Sequence, residues 1–146
     1  SMLLFSLISL YGKLLTGIPM TTNLKCILCV EDEPEMIDLI RLILGRRGFE
    51  VKGATGGVEG LKMVREQHPD LVLLDLMMPD VDGFEVCERI RANPATISLP
   101  IIVVSAKSQD ADKQRAAELG ANGFLTKPYR RADLLTKIRD CLSPTS

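Results

Sequence analysis

The sequence predicts an α/β fold in which helices cover both faces of a parallel β-sheet. From residue 25 onward, strand-like and helix-like patterns alternate five times. Residues 71–76 form an apolar run of strand length in which Asp75 is the one charged residue, as is typical of a strand buried on both faces. The chain has 146 residues, 46% hydrophobic and 25% charged, so we expect one domain with a substantial core.

The first two strand–helix pairs follow from apolar periodicity. A strand is predicted at residues 25–30 and a helix at 34–46, and the second pair occupies residues 49–52 and 58–67. The first of these helices is expected to pack on the sheet through one apolar face. That face consists of Met36, Leu39, Ile40 and Ile43.

The elements after the third strand are bounded by turn residues. Pro79 ends the Asp75 strand, and Pro100 opens the next one. Asp80 and Asp82 are expected to be turn and N-cap residues in front of the third helix. The remaining helices and strands are predicted at residues 83–91, 101–104, 110–119, 122–126 and 131–141.

The N-terminal residues 1–22 differ in pattern from the domain at 23–142, and residues 143–146 form a linker stub or tail. Leucine and isoleucine recur at helical spacing in the first segment, which predicts an amphipathic helix. The segment lacks the basic N-terminal region and the cleavage site of a signal peptide. The short length of the segment and the presence of Lys13 argue against a membrane span. Two interpretations stay open: an extension that docks on any apolar surface, or a helix for dimerisation or partner binding.

Charge and cysteine content exclude some partners. A net charge of -1 and a pI near 5.8 offer no basic surface, so we expect no direct nucleic-acid binding by this chain. Cys26 and Cys29 have the spacing of a metal motif, but on a strand side chains three apart point to opposite faces. The cysteines are therefore interpreted as buried, reduced thiols of a cytoplasmic protein.

Polar residues stand where the predicted strands end. Glu31 and Asp32 follow the first strand, Asp75 closes the third, Ser105 follows the fourth and Lys127 the fifth. Ligands of an open parallel sheet bind at these ends. Clustered carboxylates favour a divalent cation, and an all-oxygen donor set suits Mg²⁺. An oxygen nucleophile, a metal, a hydroxyl donor and an ammonium are the groups that phosphoryl transfer needs.

Four motifs in this order resemble the receiver domain of two-component response regulators. They are Val30-Glu-Asp-Glu-Pro34, Leu73-Leu-Asp-Leu-Met-Met-Pro79 with Asp82-Gly83, Val104-Ser-Ala106 and Lys127-Pro-Tyr129. The match covers about residues 25–142. The resemblance implies a flavodoxin-like sheet of five parallel strands in the order 2-1-3-4-5. It also implies a signalling switch that catalyses only its own phosphorylation and dephosphorylation.

The resemblance implies how the acidic residues act. Asp75 would take a phosphoryl group from a phosphohistidine on a sensor histidine kinase or a histidine phosphotransfer protein. Mg²⁺ would be held by Glu31, Asp32, Asp75 and the main-chain carbonyl of Met77. Of the carboxylates, Asp32 and Asp75 would be the direct ligands, and Glu31, where the family more often has Asp, would reach the metal through water.

The resemblance also implies a switch around the phosphoryl group. Ser105 corresponds to the switch hydroxyl, Lys127 to the invariant lysine in a cis bond to Pro128, and Ala106 to the small residue where the phosphoryl group enters. Phe124 corresponds to the switch aromatic, which turns inward when Ser105 moves. This movement would repack the surface of the fourth helix, fifth strand and fifth helix.

Two other functions and the oligomeric state stay open. A pseudo-receiver would act as a binding module without phosphate. A hydrolase of the haloacid dehalogenase kind would need an acid two residues after Asp75, where Met77 stands. Residues 121–123 lack the acidic side chains often found in regulators that dimerise through the fifth strand, so a homodimer is neither predicted nor excluded.

Overall fold

The structure is a computed structural model that describes residues 3, 4, 7 and 24–143. The predicted N-terminal helix and C-terminal tail lie outside the described residues, apart from Leu3, Leu4 and Leu7, which are helical and exposed, and Ser143. No helix in the described ranges is long and apolar enough to cross a membrane.

Five parallel strands form a single sheet. They are β1 (Cys26–Val30), β2 (Glu50–Ala54), β3 (Leu71–Leu74), β4 (Ile101–Ser105) and β5 (Gly123–Thr126). Their order across the sheet is β2-β1-β3-β4-β5, and every neighbouring pair is parallel. The predicted fold class and strand order are confirmed.

Helices cover both faces of this sheet. They are α1 (Pro34–Gly45), α2 (Gly57–Gln67), α3 (Gly83–Ala92), α4 (Asp110–Glu118) and α5 (Arg131–Leu142). Alternate residues of β1 supply the two cores: Ile27 packs with side chains of α1 and α5, and Leu28 with side chains of α2 and α3. Each such side chain, when fully buried, stabilises the fold by about 1.5–3 kcal/mol. α4 contributes Ala116 to a smaller cluster.

Helix α1 faces the sheet through a stripe one residue away from the predicted one. Of the four predicted residues only Ile40 is buried, and Leu39 is 39% exposed. The prediction was wrong because apolar residues occupy most positions of this helix, so periodicity alone did not select the stripe. The buried stripe is Ile37, Ile40 and Leu44. The other three predicted residues, Met36, Leu39 and Ile43, border an open groove together with Pro128 and Tyr129.

The cysteines carry no metal motif. All four thiols are free. Cys29 lies in the same core as Ile27, and Cys26, three residues before Cys29 on β1, points to the opposite face of the sheet. Burial raises the pKa of the Cys29 thiol to about 12. A thiol held in its protonated form is a poor nucleophile and a poor metal ligand, so these cysteines act as core residues.

The loop after β3 begins earlier than predicted. β3 ends at Leu74, so Asp75 is the first loop residue, although it and Leu76 remain buried. Gly83, the first residue of α3, lies directly against this loop. A Cβ there would stand 2.5 Å from the Asp75 carbonyl oxygen and 2.6 Å from the Leu76 Cα. Only glycine therefore allows α3 to begin this close to the end of β3.

Gly83→Ala is expected to lower the free energy of unfolding by about 1–3 kcal/mol, because the added methyl group must displace main-chain atoms. Gly45→Ala is the matched control, since nothing lies within 4 Å of a Cβ at the last residue of α1. That variant is expected to gain about 0.5–1 kcal/mol. Urea denaturation measures both. A Gly83→Ala variant as stable as Gly45→Ala would contradict the close approach at Gly83.

Candidate functional site

The polar residues predicted from the strand ends meet at one edge of the sheet. Glu31 and Asp32 follow β1, and Asp75 follows β3, which pairs with β1. One carboxylate oxygen of each of these three residues lies within 4.8 Å of the other two. Glu31 and Asp75 are only 5% and 7% exposed, so two acidic side chains are nearly removed from solvent.

Lys127 joins this cluster from the end of β5. Its Nζ donates to Glu31 Oε2 at 2.8 Å and to Asp75 Oδ2 at 3.2 Å. The main-chain N–H of Lys127 donates to the Ser105 carbonyl, which ties the two strand ends together. The bond to Pro128 is cis, as expected. One ammonium thus serves two carboxylates.

The electrostatics follow from burial. Desolvation raises the pKa of Glu31 to about 7, and the neighbouring Asp75 adds to the rise, while Lys127 opposes it. Burial alone would lower the pKa of Lys127, but its contacts with Glu31 and Asp75 outweigh burial and raise it. The lysine therefore stays charged, and the excess negative charge falls on the acidic cluster.

Asp75 is held by hydrogen bonds to both carboxylate oxygens. Oδ1 accepts from the main-chain N–H of Met77 at 3.0 Å, and Oδ2 accepts from Lys127. The Met77 side chain is 59% exposed, so this residue meets the site through its main chain. The hydrogen bonds thereby fix the orientation of this nearly buried carboxylate.

The predicted switch residues lie on the neighbouring strands. Ser105 is fully buried at the end of β4, and its Oγ accepts from the N–H of Lys107 at 3.1 Å. Ala106 after it is exposed. Phe124 is partly buried on β5, opposite Val103 in the strand register, and packs against the small core cluster that α4 joins.

Asp80 makes contacts that the sequence did not predict. Asp80 and Asp82 were predicted to be turn and N-cap residues before α3, and Asp82 does cap that helix, with its Oδ1 accepting from the N–H of Phe84 at 2.8 Å. The Asp80 carboxylate instead accepts from the N–H groups of Gly57 and Val58 at the start of α2. The adjacent glycines 56 and 57 were the sequence signal for this contact, because glycine permits another part of the chain to approach the main chain closely.

A five-stranded parallel sheet with an acidic cluster and a lysine at its carboxyl edge is the arrangement of one family of signalling domains. The model of the response regulator receiver domain matches residues 27–139, and the chain belongs to this family. It is a receiver domain of the two-component signalling type.

Two curated relatives are transcriptional regulators. The DNA-binding dual master transcriptional regulator RpaA of Synechocystis sp. is 37% identical over 119 residues, 82% of this chain and 49% of that protein. The transcriptional regulatory protein AfsQ1 of Streptomyces coelicolor is 42% identical over 116 residues, 80% of this chain and 50% of that protein. The chain thus spans about half the length of the curated relatives it matches.

Solved structures agree with this assignment. A putative response regulator from Chloroflexus aurantiacus has a TM-score of 0.80 and 30% identity, covering 84% of this chain and all (100%) of that chain. The receiver domain of the sensor histidine kinase PA1611 from Pseudomonas aeruginosa has a TM-score of 0.76 and 28% identity, covering 82% of this chain and 98% of that one. That structure holds a magnesium ion in its active-site cleft.

The buried Glu31 carboxyl predicts a pH dependence in metal-free buffer with a chelator. Its pKa of about 7 in the folded chain lies above the ordinary 4.5, so the folded state holds a proton that the unfolded state has already released. Stability should therefore fall as the pH rises from about 5 to 8. Relative to Glu31→Gln, whose amide does not titrate, the wild type should lose about 1–3 kcal/mol over this interval.

Urea denaturation of both proteins at four pH values measures this difference. Glu66→Gln, which neutralises an exposed carboxylate on α2, controls for the change in net charge. A stability difference between wild type and Glu31→Gln that stays constant from pH 5 to 8 would contradict the raised pKa of Glu31.

Proposed function

We propose that Asp75 accepts a phosphoryl group from a phosphohistidine on a sensor histidine kinase or a histidine phosphotransfer protein. The observation that carries this proposal is the environment of Asp75, a buried carboxylate paired with Lys127 and lying within 4.8 Å of two further acids. A carboxylate so placed is oriented, and it stands at the carboxyl end of β3, the edge of the sheet that a donor would approach.

The proposed reaction is a phosphoryl transfer between two side chains. An Asp75 carboxylate oxygen attacks the phosphorus atom, the bond from phosphorus to the imidazole nitrogen breaks, and that nitrogen keeps the electron pair. Lys127 Nζ, which donates to Asp75 Oδ2 in the free protein, would then donate to a phosphoryl oxygen. The main-chain N–H of Met77 holds Oδ1 in place throughout.

The acidic cluster fits Mg²⁺. Its donors are all oxygens, and octahedral ligands about 2.1 Å from one ion lie about 3–4 Å apart, which small side-chain rotations can reach from the observed spacing. Following the pattern of the receiver family, we assign direct contact with the ion to Asp32 and Asp75 and a water-mediated contact to Glu31, whose oxygens accept from Lys127 and from the N–H of Glu33. The Met77 carbonyl completes the set. When bound, the ion neutralises charge on the transferring phosphoryl group.

The proposed output is a change of surface. Ser105 accepts from Lys107 in the free protein, and a hydroxyl that accepts can still donate its own proton to a phosphoryl oxygen. A shift of Ser105 toward that oxygen, which exposed Ala106 after it leaves room to enter, would open space beside β4 into which the partly buried Phe124 can turn. The faces of α4, β5 and α5 would then differ between the two states.

The proposal also covers the cellular compartment and the partners of the chain. Free thiols at all four cysteines favour the reducing cytoplasm, where a kinase would meet the chain. RpaA is described as DNA-binding. For this chain we propose no direct contact with nucleic acid, because its net charge is -1. Homodimerisation remains an additional option for the phosphorylated state.

Two rival functions make different predictions. A pseudo-receiver binds partners without phosphate, but Asp75, Lys127 and Ser105 are all present at the site, which favours phosphorylation. A hydrolase using an aspartyl phosphate needs a second acid beside the nucleophile, and the Met77 side chain supplies none. Turnover of a general phosphatase substrate that disappears in Asp75→Asn would favour the hydrolase.

Asp75→Asn is expected to abolish phosphorylation. Wild-type protein incubated with acetyl phosphate and Mg²⁺ should gain the mass of one phosphoryl group, seen by intact-protein mass spectrometry. The gain should vanish with Asp75→Asn, because an amide oxygen is not a competent nucleophile, and with a chelator of Mg²⁺.

Asp82→Asn is the matched control for this experiment. It makes the same chemical change in the same loop, and asparagine caps a helix about as well as aspartate. This variant should gain the phosphoryl group as the wild type does. Phosphorylation of Asp75→Asn at wild-type extent, or none in the wild type, would refute the proposed function.

A further inference from the structure

The loop between β3 and α3, residues 75–82, is held at several points, since Leu76 is buried and its carbonyl accepts from the N–H of Gly83. It carries Met77, whose side chain is largely exposed and therefore does not fix the position of its own main chain. The main-chain N–H of Met77 donates to Asp75 Oδ1, and this hydrogen bond orients the peptide group between Leu76 and Met77. A second anchor is provided three residues further along, by Asp80.

Asp80 binds the start of a helix that is distant in sequence. Its Oδ1 accepts from Gly57 N–H at 3.0 Å and its Oδ2 from Val58 N–H at 3.1 Å. The first N–H groups of a helix have no partner within the helix and are normally capped by the side chain just before it. That position in α2 is Gly56, which has no side chain. Asp80 therefore supplies the cap of α2 from the other loop.

The surroundings are shaped for this contact. A Cβ at Gly56 would lie 2.7 Å from Asp80 Oδ2, and one at Gly57 would lie 2.8 Å from the Cβ of Val81. The amides also hold the Asp80 carboxylate in its charged form, since their hydrogen bonds lower its pKa. Both loops thus approach each other more closely than side chains at residues 56 and 57 would permit.

We propose that Asp80 is a positioning residue for the metal site. By fixing the loop to the first turn of α2, it holds the Met77 carbonyl where it can contact Mg²⁺. This inference rests on the proposed function in that it takes the Met77 carbonyl to be a metal ligand. Groups that orient metal ligands commonly change metal affinity by 10–100-fold when they are removed.

Isothermal titration calorimetry of the full chain with MgCl₂ tests the proposal. Asp80→Ala is expected to weaken Mg²⁺ binding about tenfold, because the Met77 carbonyl is no longer held at the metal. Asp82→Asn removes the same charge from the same loop and keeps its helix cap, so its affinity should stay within about twofold of the wild type. An equal loss in Asp82→Asn would assign the effect to charge alone and overturn the proposal.

The double variant Gly56→Ser/Asp80→Ala separates positioning from helix capping. Once the Asp80 carboxylate is absent, the atoms nearest to a Cβ at residue 56 are gone, and serine can cap α2 locally. Thermal stability should then return toward the wild type while Mg²⁺ affinity stays about tenfold weaker. Recovery of affinity together with stability would show that Asp80 only caps α2.

The outcomes distinguish this inference from the proposed function. If the wild type binds Mg²⁺ and Asp80→Ala binds it equally well, the positioning role is refuted and the phosphoacceptor site stands. If the wild type binds no Mg²⁺ and gains no phosphoryl group from acetyl phosphate, both are refuted.

Discussion

Two buried carboxylates, Glu31 and Asp75, share the single ammonium of Lys127. Removing charged groups from water costs several kcal/mol each, and one cation offsets only part of that cost for two anions. This unfavourable environment for negative charge raises the pKa of Glu31 to about 7, mainly because of burial. A site in this condition favours a further cation, and Asp32, at its edge, adds another oxygen to receive it. The site's chemistry therefore begins as an electrostatic imbalance that the fold maintains.

The parallel sheet is what makes that imbalance possible. Lys127 and Glu31 are 96 residues apart in the chain, yet they meet because both follow strands whose carboxyl ends lie at one edge. Strand registers place Val30 beside Leu74, so the residues after them, Glu31 and Asp75, emerge side by side. The apolar strands hold these residues in place, because a shift of register would move core side chains out of both cores at once.

Much of this arrangement could be predicted from the sequence, and the exceptions have physical causes. The alternation of elements and the residues at strand ends are local patterns. The first led to the correct sheet, and the second picked out side chains that the structure brings together at one edge. The buried face of α1 was predicted wrongly because Ile37, Leu39 and Ile40 are all apolar, and only the sheet decides which of them is covered. The end of β3 was placed too late because the apolar run continues to Leu76 and the chain stays buried there, with the Asp75 N–H still donating to the Val30 carbonyl of β1.

The contacts of Asp80 with α2 were not predicted, because its partners are 22 and 23 residues away and a short motif says nothing about contacts at that range. Two loops on the same edge of a sheet can satisfy each other's polar groups only after the sheet has formed. Gly56 and Gly57 fit this arrangement. Gly56 has no side chain to cap α2, and the absence of a Cβ at either glycine makes room for the loop that carries the Asp80 carboxylate. Residues that look like turn formers can thus link separate loops around a site, and this linkage determines how rigidly the main chain beside Asp75 is held.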